Sequence, residues 1–384
     1  MSQPREASAD AVAEAAELEA GVARLRDAID GIDRRLLTLL NERAALGVEM
    51  GRLKARGGLE VYSAARERDL VEALRRANPG PFPDEGIAPV FREIVSATRS
   101  LERRPRVAYL GPAGTFAHEA ALGQFGTCVD LLPASPIGAI FRALERGEAD
   151  LGVVPVENTT EGIVTETFDA LAGSTGTALC GEVLLRVSHH LLSRSGRLED
   201  VKQVASHPQG LAQCRQWLDR HLARAERVET PSTAAAAHRA AEDGAVAAVA
   251  SAIAAQACGL AFAARSIEDH RDNTTRFLLL GRHAAPRSGH DLTSAVFTVR
   301  KTEPGALHRL LAPFAAHGVN LTSIQSRPMP GKPFEYLFFL DLEGHREDAG
   351  VARALTEAAA QAHSHRVLGS FPRAAAAGAA RETS

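Results

Sequence analysis

The stretch Asn273-Thr274-Thr275-Arg276-Phe277 puts an amide, two hydroxyls and a guanidinium directly before the apolar run of residues 277–280. This pattern predicts a polar loop that leads into a buried strand. Polar groups at the start of a strand can bind a small anion and deliver a proton. The same residues could also form a capped turn whose arginine extends to solvent, so the rest of the chain has to decide between the two interpretations.

Composition and charge limit the class of protein. A chain of 384 residues with 45% hydrophobic content predicts two or three domains. The 44 basic and 47 acidic residues nearly balance, so the chain lacks the basic excess that nucleic-acid binding requires. The acidic, alanine-rich start of the chain has no signal-peptide pattern, and we therefore expect a cytoplasmic location.

We expect neither a metal, nor another cofactor, nor a membrane span. The four cysteines form no CxxC pair, which disfavours a disulfide framework and a zinc site; they are Cys128, Cys180, Cys214 and Cys258. Residues 245–264 carry no charge, but most of them are alanine. We therefore predict a buried strand at residues 246–250 and a core-facing helix after it, rather than a span.

The N-terminal part has a coiled-coil pattern. After a tail expected to be disordered (residues 1–17), apolar residues recur in alternating steps of four and three, which predicts one helix over residues 18–54. At 1.5 Å per residue this helix is about 55 Å long, longer than a compact domain of this size. It therefore has to find a partner, most simply a second copy of the same chain.

Arg43 interrupts this apolar seam. It could simply set the register of the helix pair. However, Lys54 returns to within about 20° of Arg43 around the helix axis, so both cations can face one pocket. Arg26 lies about 25 Å along the axis and about 100° round it. Only an antiparallel second copy could bring Arg26 to that pocket.

Two shorter helices follow, at residues 64–77 and 84–101, and the seam of the second contains Thr98 with Glu102 one turn on. So many polar and charged groups inside a bundle are costly unless a charged ligand binds there. The polar positions of these helices follow a known order and spacing: residues 25–33, then Glu42-Arg43, Lys54 and Arg66-Glu67-Arg68. This pattern resembles the all-helical class of chorismate mutase.

This resemblance covers about residues 18–102 and implies an all-α, dimeric bundle with a long first helix. It implies that Arg26 of the partner subunit, Arg43 and Lys54 bind the carboxylates and ether oxygen of chorismate. Further implied contacts are Glu67 to the ring hydroxyl, with support from Arg66 and Thr98.

Two positions depart from the mutase pattern. Ser63 stands where some members carry Asp, and Glu102 stands where some carry a Gln that donates to the ether oxygen. Only a protonated carboxyl can donate a hydrogen bond there. We therefore expect mutase activity to fall as the pH rises.

From residue 105 the pattern changes to strands that alternate with helices. A strand at 106–110 leads into Gly111-Pro112-Ala113-Gly114-Thr115-Phe116, with Thr115 as a helix cap. Glycines before a helix suit anion binding, but no nucleotide motif is present. Residues 183–192 are interpreted as a single crossover strand.

Polar groups also follow two other predicted strands. The strand at 151–154 is followed by Glu157 and Asn158, and the strand at 201–206 ends in Ser206, with Gln213 in the next helix. Each could be structural: a turn, a helix cap or a solvated side chain. Together, however, these residues lie at the ends of strands, and α/β proteins bind their ligands at strand ends.

Four motifs follow one another along the chain: Gly-Pro-x-Gly-Thr-Phe, Val-Pro-Val-Glu-Asn-Thr, Ser-His-Pro-Gln and Thr-Arg-Phe. Their order resembles that of prephenate dehydratase. The resemblance covers about residues 105–283 and implies two α/β lobes around a cleft, similar to periplasmic binding proteins. The implied reaction converts prephenate into phenylpyruvate with loss of carbon dioxide and water.

The dehydratase resemblance also implies residue roles. Thr275 would donate to or polarise the leaving hydroxyl, and Arg276 would hold a substrate carboxylate. The remaining implied site residues are Asn158, Ser206 and Gln213, which orient the substrate, Glu157, which supports them, and the substrate-binding Thr115 and Phe277. For His207 we favour a structural role at the helix start over general acid catalysis.

The C-terminal part predicts a βαββαβ, ferredoxin-like α+β domain over residues 292–372, followed by a disordered tail (373–384). Its first helix is predicted at residues 304–317, with Pro304 at the first helical position and Gly318 ending the helix. Its strands are predicted at 293–299, 320–326, 334–342 and 367–371, with a second helix at 347–362.

The C-terminal part contains three motifs, Pro304-Gly305-Ala306-Leu307, Gly318-Val319-Asn320-Leu321-Thr322 and Gln325-Ser326-Arg327-Pro328. They resemble the ACT module, which implies allosteric binding of phenylalanine at a dimer interface. The implied effector residues are Gly305, Ala306, Leu307, Asn320, Leu321, Gln325, Ser326, Arg327 and Pro328. Gln325 replaces the usual Glu of the Glu-Ser-Arg-Pro motif, which puts the strength of inhibition in question.

Together the three resemblances imply a bifunctional enzyme of phenylalanine biosynthesis that acts on chorismate and then on prephenate, as a dimer or tetramer. Two alternatives remain open at this point. One is a phenylalanine-regulated dehydratase whose mutase is impaired, and the other is a non-catalytic amino-acid sensor, which the cation-lined bundle argues against.

Overall fold

The computed structural model describes residues 9–56, 62–299, 304–329 and 335–374, without the side chains of residues 9–16 and 55. Of the tails predicted to be disordered, residues 1–8 and 375–384 lie outside this described part. No described helix is both long enough and apolar enough to cross a membrane.

Three helices form the N-terminal part: α1 (Ala9–Arg56), α2 (Ala64–Ala77) and α3 (Asp84–Ser100). Helix α1 starts nine residues before the predicted seam, and α3 contacts both α1 and α2. The seam of α1 is uncovered in the single chain, since Leu25, Ile29 and Ile32 are 64%, 56% and 53% exposed. An apolar stripe of this length on one helix is typical of an interface.

The central part contains two sheets. Its strands are β1 (Arg106–Leu110), β2 (Asp130–Ala134), β3 (Leu151–Asn158), β4 (Gly162–Ile163), β5 (Ala178–Arg186), β6 (His190–Ser193), β7 (Gln203–Ser206), β8 (Glu226–Glu229), β9 (Val246–Ala250), β10 (Ala261–Ala264) and β11 (Thr274–Gly281). Its helices are α4 (Phe116–Phe125), α5 (Ile137–Glu145), α6 (Thr165–Gly173), α7 (Pro208–Gln213), α8 (Arg215–His221), α9 (Thr233–Glu242) and α10 (Ala252–Cys258).

The first sheet has the order β2-β1-β3-β11-β5 and the second β10-β6-β9-β7-β8. The strand predicted at 183–192 is in fact two strands, because β5 belongs to the first sheet and β6 to the second. Residues 187–189 carry the chain from one sheet to the other, and residues 265–273 carry it back to β11. Each sheet has its own buried core, so the two α/β lobes expected from the sequence are present.

The C-terminal part is the expected βαββαβ arrangement: β12 (Asp291–Thr298), α11 (Ala306–Ala316), β13 (Leu321–Pro328), β14 (Tyr336–Glu343), α12 (Ala349–Gln361) and β15 (Ser364–Pro372). The sheet order is β13-β14-β12-β15, with antiparallel pairs throughout. The first residue of the strand predicted at 334–342 lies outside the described residues.

The start of α11 differs from the prediction. Pro304 is not the first helical residue, because Gly305 caps the helix with a φ of 74° and the helix begins at Ala306. A left-handed conformation of this kind favours glycine, which has no Cβ atom to clash with the backbone.

The third sheet packs its helix-free face against the first lobe. Phe339 of β14 meets Phe168 of α6 edge to face, with ring centroids 5.0 Å apart. Gly369 of β15 lies against the backbone of Leu179 in β5, where a Cβ atom would clash. The core of the first lobe therefore continues into the C-terminal domain.

Candidate active sites

Thr275 lies at the start of β11, opposite Asn158 of β3 in the strand register. Asn158 Nδ2 donates to Thr275 Oγ1 at 2.8 Å and to Asn273 Oδ1 at 2.7 Å. Thr275 is 8% exposed. Since its oxygen accepts the bond from Asn158, its own proton remains available for another acceptor. Strand β11 begins at Thr274, so the polar loop is shorter than predicted and the Thr275 hydroxyl belongs to a buried strand.

The second lobe completes this network through Gln213, the last residue of α7. Asn273 Nδ2 donates to Gln213 Oε1 at 3.0 Å, and His189 Nε2 lies 2.8 Å from the same oxygen. Gln213 Nε2 donates to Glu161 Oε1 at 3.1 Å. Burial raises the pKa of Glu161, against the opposing influence of His207 and Gln213. The structure thus brings Thr275, Asn158 and Gln213 together.

Ser206 lies apart from these three. It is fully buried at the end of β7 and donates to the carbonyl oxygen of Val249 at 2.7 Å. His207 caps α7, because its Nδ1 accepts from the N–H of Gln209 at 3.4 Å. Ser206 therefore ties β7 to β9, and His207 holds the start of α7, whose other end carries Gln213.

Thr115 caps α4 as predicted: it accepts from the N–H of His118 at 3.3 Å and donates to the carbonyl oxygen of Leu110 at 2.9 Å. Phe277 is buried in the first-lobe core. Glu157 is exposed and pairs in register with Arg276. The structure does not connect these residues to the Thr275 network by a hydrogen bond within the described part of the chain.

Arg276 points to the other face of the sheet, as neighbours on a strand do. Its Nε donates to Glu182 at 2.7 Å and its Nη1 to Asp341 at 2.7 Å. Burial opposes the charge, but Asp341 and Glu182 outweigh it and raise the pKa of Arg276. The carboxylate partners of Arg276 therefore come from the protein, where the sequence predicted a substrate carboxylate.

In the helical part, Arg43 Nη1 donates to Thr98 Oγ1 at 3.0 Å, which links α1 to α3. The carboxylate of Glu102 lies against Gly51 of α1. Lys54 is half-buried, whereas Arg26 is exposed beside the uncovered seam. Within one chain, α1 and α3 therefore bring together Arg43 and Thr98 but not Arg26.

Glu67 has a partner that sequence reasoning missed. It forms an ion pair with Arg99 of α3, whose guanidinium lies 5.2 Å from the ring centroid of Tyr62. Burial raises the pKa of Glu67, and Arg99 opposes this. Ser63 caps α2 by accepting from the N–H of Arg66, whose side chain is exposed. No sequence motif signals Arg99, because its partners come from other segments.

The predicted effector residues divide between two places. Gly305, Ala306 and Leu307 lie at the start of α11, and Asn320 and Leu321 follow its other end. A helix of eleven residues separates these groups by about 16 Å. One chain therefore cannot hold a single amino acid between them.

The remaining effector residues lie on β13, the edge strand of the sheet, and alternate between its faces. Ser326 and Pro328 are exposed. Arg327 instead reaches Asp169 of α6, with Nη2 at 3.0 Å from Oδ1. Gln325 lines a cavity between the two domains together with Arg276 and Asp341. This face of β13 thus contacts the first lobe.

Comparison with known proteins identifies all three parts. Residues 25–103 match the family described as Chorismate mutase type II, residues 107–285 match Prephenate dehydratase, and residues 294–360 match ACT domain. A bifunctional chorismate mutase/prephenate dehydratase of Aquifex aeolicus is 45% identical over 354 residues, which cover 91% of this chain and 97% of that protein.

Solved structures agree with the fold. A prephenate dehydratase from Arthrobacter aurescens in complex with L-Phe has a TM-score of 0.65 and 37% identity, over 70% of this chain and 90% of that one. A structure described as a quorum-quenching acylase has the same TM-score of 0.65 with 31% identity, over 70% and 98% of the two chains. Because a fold of this kind occurs with different activities, activity has to be argued from the site.

The match with the Aquifex protein extends over nearly the full length of both chains, and the three family matches follow in the same order as the three structural parts. The chain belongs to the family of bifunctional chorismate mutase/prephenate dehydratases with a C-terminal ACT domain.

Proposed function

We propose that the chain rearranges chorismate to prephenate and then converts prephenate into phenylpyruvate, under feedback inhibition by phenylalanine. The proposed domain boundaries are 18–102 for the mutase, 105–283 for the dehydratase and 292–372 for the ACT domain. A cytoplasmic location is part of the proposal, as expected for a biosynthetic enzyme. The observation that carries the dehydratase assignment is the hydrogen bond from Asn158 to the Thr275 hydroxyl oxygen, because a hydroxyl that accepts one bond can still donate its own proton to a substrate oxygen.

The difficult step in the dehydratase is expulsion of hydroxide from a ring carbon, which needs a proton donor beside the leaving oxygen. An unperturbed threonine is a weak acid. Its contribution is therefore a hydrogen bond that strengthens as negative charge develops on the leaving oxygen. Asn158 and Gln213 hold the hydroxyl and the substrate in position, and the carboxyl group lost as carbon dioxide supplies the electrons that form the aromatic ring.

The mutase needs no covalent step, since the rearrangement is pericyclic. Catalysis then consists of holding the reactive conformer and stabilising charge at the ether oxygen. Arg43 and Lys54 supply two cations, and the uncovered seam of α1 supports a dimer in which Arg26 of the partner subunit supplies a third. Glu102 would donate to the ether oxygen when protonated, and Glu67 would accept from the ring hydroxyl.

The feedback site is proposed at an interface between two ACT domains. Its support is the separation of Gly305 from Asn320 by the length of α11, which requires the two groups to come from different chains. The exposed edge strand β13 is available for such pairing. Pairing through both α1 and β13 would give a dimer or a tetramer.

One assay tests the proposal. The purified chain is given chorismate and, separately, prephenate, and the appearance of phenylpyruvate is followed with and without phenylalanine. Formation of phenylpyruvate from both substrates is expected. Formation from prephenate alone would indicate the dehydratase with an impaired mutase, for which Ser63 and Glu102 are the candidate causes. Turnover of neither substrate would support the non-catalytic sensor.

A further inference from the structure

His189 lies where the chain passes from β5 to β6, between the two lobes. It is 3% exposed. Its N–H donates to Glu268 at 2.9 Å, its carbonyl oxygen accepts from Ile267 at 2.8 Å, and Phe116 packs edge-on with ring centroids 5.3 Å apart. The two hydrogen bonds hold the backbone of His189, and the contact with Phe116 holds its imidazole ring.

The hydrogen bonds define which nitrogen carries the proton. Gln213 Oε1 accepts from Asn273 at 3.0 Å, and the amide nitrogen of Gln213 donates to Glu161. The oxygen is therefore the atom that faces His189, and Nε2 of the imidazole must donate to it at 2.8 Å. Nδ1 is buried and has no hydrogen-bond partner within the described part of the chain. A proton on Nδ1 would lack an acceptor there, so the neutral ring fits the site, and burial lowers the pKa of His189 accordingly.

The donation from His189 holds one end of a chain of amides, and backbone N–H groups that donate to Asn158 hold the other end. With two donors facing its oxygen, Gln213 cannot turn its amide round without placing N–H against N–H. Asn273 then directs its nitrogen to Gln213 and its oxygen to Asn158. Asn158 in turn directs its nitrogen to Thr275, and its oxygen accepts from the backbone N–H groups of residues 160 and 161 at 2.9 and 3.0 Å.

We propose that His189 is a positioning residue for the dehydratase reaction: as a neutral Nε2–H donor it holds the Gln213 end of the chain Gln213, Asn273 and Asn158, whose other end the backbone holds, so that Thr275 accepts from Asn158 and keeps its own proton for the leaving hydroxyl. This inference rests on the proposed dehydratase function. Because His189 acts on a bond that forms in the transition state, its loss lowers kcat rather than raising KM.

Three substitutions test the proposal in the full-length chain. His189→Gln keeps an N–H donor near the Nε2 position, His189→Asn keeps an amide but places it near Nδ1, and His189→Leu removes the donor. We expect His189→Leu and His189→Asn to lower dehydratase kcat at least about tenfold, with KM within about threefold. His189→Gln is expected to retain kcat within about threefold of wild type.

The same chain provides the controls. Chorismate mutase activity reports on intact protein, and His190→Gln removes the neighbouring buried imidazole, which accepts from the N–H of Ser266 outside the amide chain. His190→Gln is expected to leave dehydratase kcat within about threefold of wild type. If His189→Leu does not fold, the comparison of the Gln and Asn variants decides.

Equal kcat values for His189→Gln and His189→Asn would overturn the positioning role, as would a kcat for His189→Leu near that of wild type while Thr275→Val is impaired. A wild-type chain that does not turn over prephenate would instead reject the proposed function itself.

Discussion

The guanidinium of Arg276 donates to the carboxylate of Asp341 at 2.7 Å. Arg276 is next to Thr275 on β11, and Asp341 lies on β14, an inner strand of the ACT sheet. The strand that carries the proposed catalytic hydroxyl is therefore bonded directly to the domain proposed to sense phenylalanine. Glu182 of β5 binds the same guanidinium at 2.7 Å, so Arg276 remains paired within the dehydratase if Asp341 is lost.

Replacing Asp341 tests this connection. In Asp341→Asn, β11 loses its charged bond to the ACT sheet but keeps Glu182. We expect the phenylalanine concentration for half inhibition to rise at least about threefold, with uninhibited kcat within about twofold of wild type. Dehydratase kinetics at increasing phenylalanine measure both.

Glu343→Gln is the matched control, because Glu343 lies on the same strand and pairs with the exposed Arg373. It should leave inhibition unchanged. Inhibition of Asp341→Asn at the wild-type concentration of phenylalanine would show that the Arg276 ion pair does not transmit the signal.

Thr275→Val removes the proposed donor and keeps the shape of the side chain. Dehydratase kcat should fall more than threefold, which corresponds to more than about 0.7 kcal/mol of barrier. Thr275→Ser, which restores the hydroxyl, should recover much of the rate, and mutase activity should stay unchanged in both. A valine variant within threefold of wild type would remove Thr275 from the mechanism.

Glu102→Gln tests the mutase. The amide of glutamine can donate to the ether oxygen in place of a protonated carboxyl, whereas alanine cannot. We expect Glu102→Gln to keep the kcat/KM for chorismate at or above the wild-type value and Glu102→Ala to lower it at least about tenfold. Equal values of kcat/KM for the two variants would contradict the role of Glu102.

Charges on the α1 seam should separate the two activities. Ile32→Glu together with Leu36→Glu places carboxylates on an uncovered apolar stripe. We expect a smaller assembly by light scattering and at least a tenfold lower mutase kcat/KM, about 1.4 kcal/mol or more, because Arg26 of the partner subunit is lost. Dehydratase kcat should persist. Arg34→Glu, an exposed position off the seam, is the control and should keep both the assembly and the mutase.

Buried imidazoles should make the dehydratase domain sensitive to mild acid. Burial lowers the pKa of His118, His189 and His190 below the ordinary value of 6.5. Near that pH the unfolded chain binds protons that the folded chain does not, so the free energy of unfolding decreases as the pH falls through it. Thermal unfolding at about pH 7.5 and about pH 5.5 should show a lower midpoint in acid. The loss should be smaller in the double variant His118→Gln, His189→Gln, and an equal loss would contradict this origin.

Local signals in the sequence define several elements well. Helix α2 and strand β9 have the bounds predicted for them, since Asn78-Pro79 ends the helix and an uninterrupted apolar run forms the strand. The order βαββαβ also follows from periodicity and turn residues. These features depend on neighbours in the chain, which a sequence displays directly.

Contacts between distant residues could not be predicted in the same way. The run 183–192 contains a polar break at Ser188-His189, but periodicity does not reveal that the chain changes sheets there. Strand alternation separates Thr275 from Arg276, yet the partners of Arg276 are 94 and 65 residues away. The role of His189 likewise depends on its hydrogen bonds with Gln213 and Glu268, which are distant in the sequence and close only in the fold.

The two passages between the sheets, at residues 187–189 and 265–273, are the two connections of the chain between the lobes. Rotation of one lobe about a hinge moves each atom in proportion to its distance from the axis. His189 lies on one passage, and Thr275 directly follows the other. A rotation about these passages that admitted prephenate at the outer edge of the cleft would therefore displace the Thr275 hydroxyl much less than that outer edge.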